Sequence, residues 1–175
     1  IPCADAPSIF DAIALNTSGI YLWAVHREDG YLISYVGETG RCIHKRMAEH
    51  YREHAAGLYT LNDPTVYRNG ERREIWPGNY GKNKRNLGAC VQASVELAKQ
   101  ILELSRMTRF FIAPTTCEKR IRRRVEAEIA DALFQVPGII GAFQDRGVRY
   151  ERSRRDEPQL TISLTAPHGD RKSTR

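Results

Sequence analysis

Two runs of apolar and aromatic residues, Gly19 to Val25 and Tyr31 to Val36, form the first clear hydrophobic pattern along the chain. They are separated by the polar stretch His26-Arg27-Glu28-Asp29-Gly30, which contains an Asp-Gly pair. An Asp-Gly pair between two β-rich runs is typical of a tight hairpin turn. We therefore predict an antiparallel β-hairpin here.

Helical periodicity follows the hairpin. Ile43, Met47 and Tyr51 recur at every fourth position through a polar segment, as expected for a helix with one apolar face. We predict a helix from about Cys42 to Ala56, with Gly57 as its natural stop.

A second helix is predicted from Ala89 to Ser105. Its apolar face is assigned to Val91, Val95, Ala98 and Leu102. The next segment, Thr108 to Ala113, is rich in aromatic and apolar residues and predicts a short buried strand that ends at Pro114.

A third helix is predicted to run to about Phe134, capped at its start by Thr115 or Thr116 and closed by Pro137-Gly138. Its apolar face would consist of Ile121, Val125, Ile129, Ala132 and Leu133. An alternating stretch from Gln159 to Thr165 predicts an edge strand.

These elements predict a single α/β (α+β) domain over residues 1–175. A small three-stranded sheet, antiparallel or mixed, would be flanked by helices, with a core of about 17–56 and 89–134. Residues 57–88 mix turn-forming residues with aromatics and cations and are predicted to be an insertion. Residues 139–175 are predicted to be a basic extension.

The charge balance favours a polyanionic partner, because 27 Lys and Arg residues outnumber 21 Asp and Glu residues, giving a net charge of +6. No apolar run is long enough to span a bilayer, so we expect no membrane contact and a cytoplasmic location. The four cysteines are scattered without metal-ligand spacing and are predicted to be reduced thiols. The chain contains no HExxH, GxSxG or GxxxxGK[ST] motif, so zinc metalloproteases, serine hydrolases and P-loop nucleotide-binding proteins find little support.

The hairpin carries a recognisable motif. Gly19-Ile20-Tyr21, followed by Tyr35-Val36-Gly37, resembles the signature of the GIY-YIG nuclease superfamily, with Val in place of Ile in the second half. Arg46 and His50 follow at Arg-x-x-x-His spacing, and Glu126 comes later on a predicted helix, in the order that this family uses. The resemblance covers roughly residues 17–133, interrupted by the insertion, and it implies a metal-dependent endonuclease.

The resemblance also implies a role for each residue. Tyr21 would be the general base or the group that positions water, with Tyr35 as its hydrogen-bonding neighbour. Arg46 would clamp the scissile phosphate, and His50 would relay a proton or bind phosphate. Glu126 would hold a single Mg²⁺ or Mn²⁺ ion, with water and phosphate oxygens filling the other positions.

The residue chemistry agrees with these roles. A hairpin places Tyr21 and Tyr35 near each other, and side chains four apart on a helix share one face. A guanidinium beside an imidazole suits a phosphodiester, whose transition state carries negative charge on its oxygens. DNA is the expected partner, either double- or single-stranded. Its phosphates would contact Arg41, Lys45, Lys82, Lys84, Arg85, Arg122 and Arg123.

Several alternatives remain open at the level of sequence. The segment from Tyr35 to Arg46 is one residue longer than in many relatives, so Lys45 is an alternative to Arg46 as the residue that clamps the phosphate. Glu128 competes with Glu126, although only Glu126 has the expected apolar neighbours. Many relatives carry a late asparagine, for which Gln144 is the nearest substitute.

Blander explanations also exist for the same residues. The tyrosines suit a packed sheet, Arg46 could pair with Glu49 or Glu53, and Glu126 could pair with a neighbouring arginine. A binding module that keeps the fold without cutting is the alternative function. A homodimer is expected if the enzyme is of the restriction type.

Overall fold

The computed structural model describes residues 16–27, 30–67, 69–79, 87–136, 154–157, 159 and 161. In these residues the strands are β1 (Gly19–Arg27), β2 (Gly30–Thr39), β3 (Leu61–Asn62), β4 (Glu74–Trp76) and β5 (Thr108–Pro114). The helices are α1 (Ile43–Ala55), α2 (Pro64–Tyr67), α3 (Leu87–Met107) and α4 (Lys119–Gln135). The protein is therefore a mixed α and β fold.

The central sheet has three antiparallel strands in the order β2-β1-β5. The predicted hairpin is confirmed, because Arg27 at the end of β1 pairs with Gly30 at the start of β2. Gly30 has a φ of 135°, a conformation that side chains disfavour and glycine tolerates. A bulge between Trp23 and Ala24 shifts the register of the hairpin by one position.

Alternation along β1 and β2 divides the sheet into two faces. One face carries Tyr21 and packs against Ile43 and Met47 of α1. The opposite face carries Ile20 and Val36 and packs against α4 through Ile129, Ala130 and Leu133. Burying a side chain of this size contributes about 1.5–3 kcal/mol, so the two helices hold the sheet between them.

Tyr51, predicted on the apolar face of helix α1, is 51% exposed, whereas His50 is buried. The bounds of α1 match their prediction closely. The helix ends at Ala55, and Gly57 adopts the left-handed region with a φ of 65°. Positive φ just after a helix is the position at which glycine is most useful, which explains the stop.

The apolar face predicted for α3 is wrong. Val91, Val95 and Leu102 are 73%, 70% and 50% exposed, whereas Leu97 and Ile101 are both 8% exposed. The helix carries two apolar stripes, and periodicity alone does not tell which one packs. Leu97 and Ile101 are buried because Leu61 and Trp76 pack on them.

The described part of the predicted insertion forms β3, α2 and β4, with β3 and β4 paired in a small antiparallel sheet. The Trp76 indole donates a hydrogen bond to the Gly57 carbonyl at 2.7 Å. Asp63 accepts hydrogen bonds from Thr65 and pairs with Arg73. The Trp76 hydrogen bond ties the inserted segment to the end of α1, and the packing of Leu61 and Trp76 ties it to α3.

Three details of the later elements also differ from prediction. The strand β5 pairs only with β1 among the described strands and contains no buried residue, so the prediction of a buried strand is wrong. The helix α4 begins one residue after Glu118 and has no side-chain cap. Thr115, one of the two predicted caps, instead accepts a hydrogen bond from the Cys117 amide at 3.2 Å. Ala132, predicted on the apolar face, is exposed.

The predicted helix stop at Pro137-Gly138 and the predicted edge strand from Gln159 to Thr165 lie outside the described residues, apart from positions 159 and 161. Glu157 pairs with Arg120 and with Arg124 of α4. Cys42, Cys90 and Cys117 are free thiols. Among the described residues, no helix is both long and apolar enough to cross a membrane.

Candidate active site

The buried hydroxyl of Tyr21 is the centre of the candidate site. Tyr21 projects from β1 toward α1 and is 1% exposed. Gly37 lies opposite it on β2. A Cβ at position 37 would lie 2.6 Å from Cε2 and 2.5 Å from the hydroxyl oxygen of Tyr21. The ring therefore occupies the space that any other side chain at this position would need.

Tyr35 lies beside Tyr21, as the sequence predicted. Its strand partner is Trp23, so the two tyrosines are diagonal neighbours on one face, with ring centroids 6.1 Å apart. The two hydroxyls are hydrogen-bonded to each other. Tyr35 is partly exposed, and it is therefore the member of the pair that solvent reaches.

His50 reaches the tyrosine pair from α1. Its Nε2 lies 2.9 Å from the Tyr21 hydroxyl oxygen, and the residue is 3% exposed. Burial, and then the positive charge of Arg46, lower the pKa of His50 to about 4. The imidazole is consequently neutral at physiological pH and has one nitrogen available as a proton acceptor.

Arg46 lies one helical turn before His50 and hydrogen-bonds the Tyr21 hydroxyl. It also donates to Glu49 at 3.1 Å, and Glu49 is held on both oxygens by Arg41 at 2.7 Å. Burial alone would lower the pKa of Arg46, but its interactions with Tyr21, Glu49 and Tyr59 together outweigh burial, and the group stays a cation. Lys45 is exposed, which favours Arg46 as the cation of this site.

Tyr21 is a neutral phenol. Burial, and then the neighbouring Tyr35, raise its pKa well above the ordinary value of 10, although Arg46 opposes the rise. A phenolate at Tyr21 is therefore not the ground state of the site.

Glu126 approaches from the other side of the sheet, at the outer edge of β2. One of its carboxylate oxygens accepts a hydrogen bond from the backbone N–H of Glu38 at 3.1 Å. Burial, and then the charge of the Glu38 carboxylate, raise the pKa of Glu126 to about 7. Glu38 directly follows Gly37, so this carboxylate lies one residue along the strand from the position that touches Tyr21. Glu128 is exposed.

The described residues contain no group of three or more His, Cys, Asp or Glu side chains arranged to hold a metal ion. Glu126 is a half-buried carboxylate whose pKa is raised by burial and then by the Glu38 charge, which Arg123 and Arg46 offset only in part, so its ionised form would gain from a closer positive partner. A divalent cation would supply such a partner, with water and phosphate oxygens completing its coordination.

The residues predicted to bind DNA differ in their surroundings. Arg41 is 62% exposed in its side chain and Arg123 45% exposed, and each pairs with a glutamate. Arg122 has a different environment, because its 9% exposed side chain is paired with Glu38 at 3.0 Å and also bonds the Cys117 carbonyl. This geometry favours a structural role for Arg122. Lys82, Lys84 and Arg85 lie outside the described residues, as does Gln144.

Two polar residues near His50 were not predicted to belong to the site. The Tyr59 hydroxyl lies 3.0 Å from Nδ1 of His50 and donates to the carboxylate of Glu53. Glu53 lies three positions after His50 on α1, a spacing at which helical side chains meet. Tyr59 lies in the loop after Gly57, and nothing in the sequence indicates that this loop passes beside His50.

Comparison with family models, with curated proteins and with solved structures finds no match to this chain.

Proposed function

We propose that this protein is a metal-dependent endonuclease of the GIY-YIG type that hydrolyses DNA phosphodiester bonds at a single-metal site. The observation that carries the proposal is the buried Tyr21 hydroxyl, which is shared by a neutral His50 and the cationic Arg46. Placing a buried histidine and a partly exposed arginine around the buried Tyr21 hydroxyl has little structural benefit, since each polar atom must then find a partner.

The arrangement suits in-line attack of water on a phosphodiester. Arg46 is a fixed cation beside the tyrosines, and it would stabilise the negative charge that develops on the non-bridging oxygens. Tyr35, the more exposed phenol, would orient the attacking water, and Tyr21 would connect that water to His50. A neutral imidazole is the form needed to take up a proton.

Glu126 would hold the Mg²⁺ or Mn²⁺ ion. When bound, the ion supplies positive charge that polarises the phosphoryl oxygen and stabilises the leaving oxygen. Glu126 must be ionised to hold it, and its pKa of about 7 means that cation binding competes with a proton at neutral pH.

DNA is proposed as the substrate because the chain is basic overall and the site is built for a phosphodiester. Among the described residues predicted to bind DNA, the exposed cations are Arg41, Lys45 and Arg123. Such cations contact phosphates without reading sequence, so they support binding to DNA in general.

The test is a plasmid nicking assay with and without Mg²⁺, using Glu126→Ala and Glu128→Ala as a matched pair. We expect the parent protein and Glu128→Ala to cut only with Mg²⁺. Glu126→Ala should bind DNA without cutting it. A parent protein that binds DNA but never cuts would identify a non-cleaving binding module instead. Loss of cutting in Glu128→Ala alone would refute the assignment of the metal ligand.

A further inference from the structure

A continuous chain of hydrogen bonds leads from the tyrosine pair to the carboxylate of Glu53 on α1. The Tyr21 hydroxyl lies 2.9 Å from Nε2 of His50, and Nδ1 of His50 lies 3.0 Å from the Tyr59 hydroxyl. The Tyr59 hydroxyl in turn contacts a carboxylate oxygen of Glu53. Tyr35 joins the other end of the chain through its hydrogen bond to Tyr21.

The direction of every bond in this chain can be assigned by counting protons. An ionised carboxylate only accepts, so the single hydroxyl proton of Tyr59 points to Glu53. The Tyr59 oxygen must then accept from Nδ1–H of His50. A neutral imidazole carries one proton, which leaves Nε2 as an acceptor for the Tyr21 hydroxyl. All donors therefore point from the tyrosine pair toward Glu53.

We propose that Tyr59 and Glu53 are positioning residues that fix the tautomer of His50 and receive, through it, the proton released by the attacking water. This proposal rests on the proposed nuclease function. Neither residue touches the substrate, and both act through His50.

The proton transfer balances without any charged intermediate on the aromatic groups. An O–H bond of water breaks, and its proton joins the Tyr35 oxygen as the Tyr35 proton passes to Tyr21 and the Tyr21 proton to Nε2. The Nδ1 proton then moves to Tyr59, and the Tyr59 proton to the carboxylate of Glu53. The water oxygen bonds to phosphorus, and the leaving oxygen takes a proton from solvent.

This route resolves a conflict in the candidate site. The burial of Tyr21 makes a phenolate costly, so this phenol is a poor base when it acts alone. A phenol that gives up one proton while it gains another stays neutral throughout. The carboxylate of Glu53 is the only member of the chain that changes its charge.

The first measurement reads the tautomer directly and requires no cleavage activity. Two-dimensional ¹H–¹⁵N spectra of the histidine side chains should show His50 protonated at Nδ1 in the parent protein. In Tyr59→Phe, which keeps the ring but removes the hydroxyl, the proton should redistribute toward Nε2. A parent protein with the proton already on Nε2 would overturn the proposal.

The second measurement is steady-state cleavage at saturating Mg²⁺ with DNA in excess. Tyr59→Phe and Glu53→Gln should each lower kcat at least about 10-fold with KM changed less than about 2-fold, because they act on proton transfer. The double variant should be no slower than the slower single variant, since both interrupt one chain. Tyr51→Phe, on the exposed face of α1, and Glu103→Gln, on the surface of α3, are the matched controls and should cut normally.

The outcomes separate this proposal from the function on which it rests. If the parent protein cuts DNA and both variants retain kcat within about 2-fold while remaining folded by thermal unfolding, the relay is refuted and the nuclease stands. If the parent protein does not cut at all, the proposed function fails and the relay fails with it, whatever tautomer the spectra report.

Discussion

Replacing Gly37 with alanine probes the closest packing in the candidate site. The added Cβ would lie 2.6 Å from Cε2 and 2.5 Å from the hydroxyl oxygen of Tyr21, and closer still to Cζ. The ring has little room to move away, because it is 1% exposed and packs on Ile43 and Met47. Gly37 has no positive φ, so alanine fits the backbone and any effect comes from the methyl group.

The expected cost follows from overpacking. An extra methyl forced into a packed core destabilises by about 1–3 kcal/mol. For a domain of this length each kcal/mol lowers Tm by roughly 2–4 °C, so Tm should fall by roughly 2–12 °C. Moving the Tyr21 hydroxyl away from Nε2 of His50 should also lower cleavage at least about 10-fold, since misplacement by about 1 Å is costly in catalysis.

The assay is thermal unfolding followed by circular dichroism, paired with cleavage at a temperature where both proteins are folded. Gly88→Ala is the matched control, because a Cβ there meets nothing within 4 Å. In a helix this change is neutral or stabilises by up to about 1 kcal/mol. A Gly37→Ala variant with unchanged Tm and cleavage would refute the reasoning, since the ring of Tyr21 could not then occupy the space opposite Gly37.

Three further predictions concern charge. Arg46→Ala should lower kcat at least about 10²-fold by removing transition-state charge stabilisation, whereas Lys45→Ala should keep kcat within a few fold of the parent. The reverse result in the same assay would assign the catalytic cation to Lys45. DNA affinity, measured by fluorescence anisotropy, should fall on the order of 10²-fold or more between low and moderate salt, and a flat response would contradict the basic contact surface. Without divalent cations, the parent protein should lose stability as pH rises through about 7, because the folded pKa of Glu126 is raised above its usual 4.5 and the bound proton is lost there. The shift corresponds to at most about 3 kcal/mol and, after solvent screening of this partly exposed group, to about 1–2 kcal/mol. Glu126→Gln should therefore be more stable than the parent in urea at pH 8 but equal to it near pH 4, while Glu128→Gln should match the parent at both values.

The hairpin and α1 could be predicted because each has a local sequence signal that is compatible with only one secondary structure. The Asp-Gly pair between alternating runs predicts a hairpin, and the ladder ends where Arg27 pairs with Gly30. The helix α1 has a single apolar stripe and a glycine stop. The helix α3 has two apolar stripes. Which of them is buried depends on where Leu61 and Trp76, which lie in another part of the chain, pack against the helix. That information is tertiary and is not contained in the periodicity of one segment.

The candidate site divides in the same way. The contact of His50 with Tyr21 follows from a helix packed on the hairpin, and the four-residue spacing places Arg46 on the same face. Glu126 could be named, but its approach from the opposite face to the edge of β2 could not. The role of Tyr59 depends on the path of a loop, which only the folded chain reveals.

Under the proposed function, the salt bridge of Arg46 with Glu49 would govern which anions bind to Arg46. Glu49 serves as an internal counter-ion, held against Arg46 at 3.1 Å and anchored from behind by both nitrogens of Arg41. A small ion such as chloride brings too little binding energy to displace a tethered carboxylate. A phosphate attached to a long polymer brings further contacts along its length. Glu49 would thus set a threshold that excludes solitary anions and admits a phosphate presented by a chain.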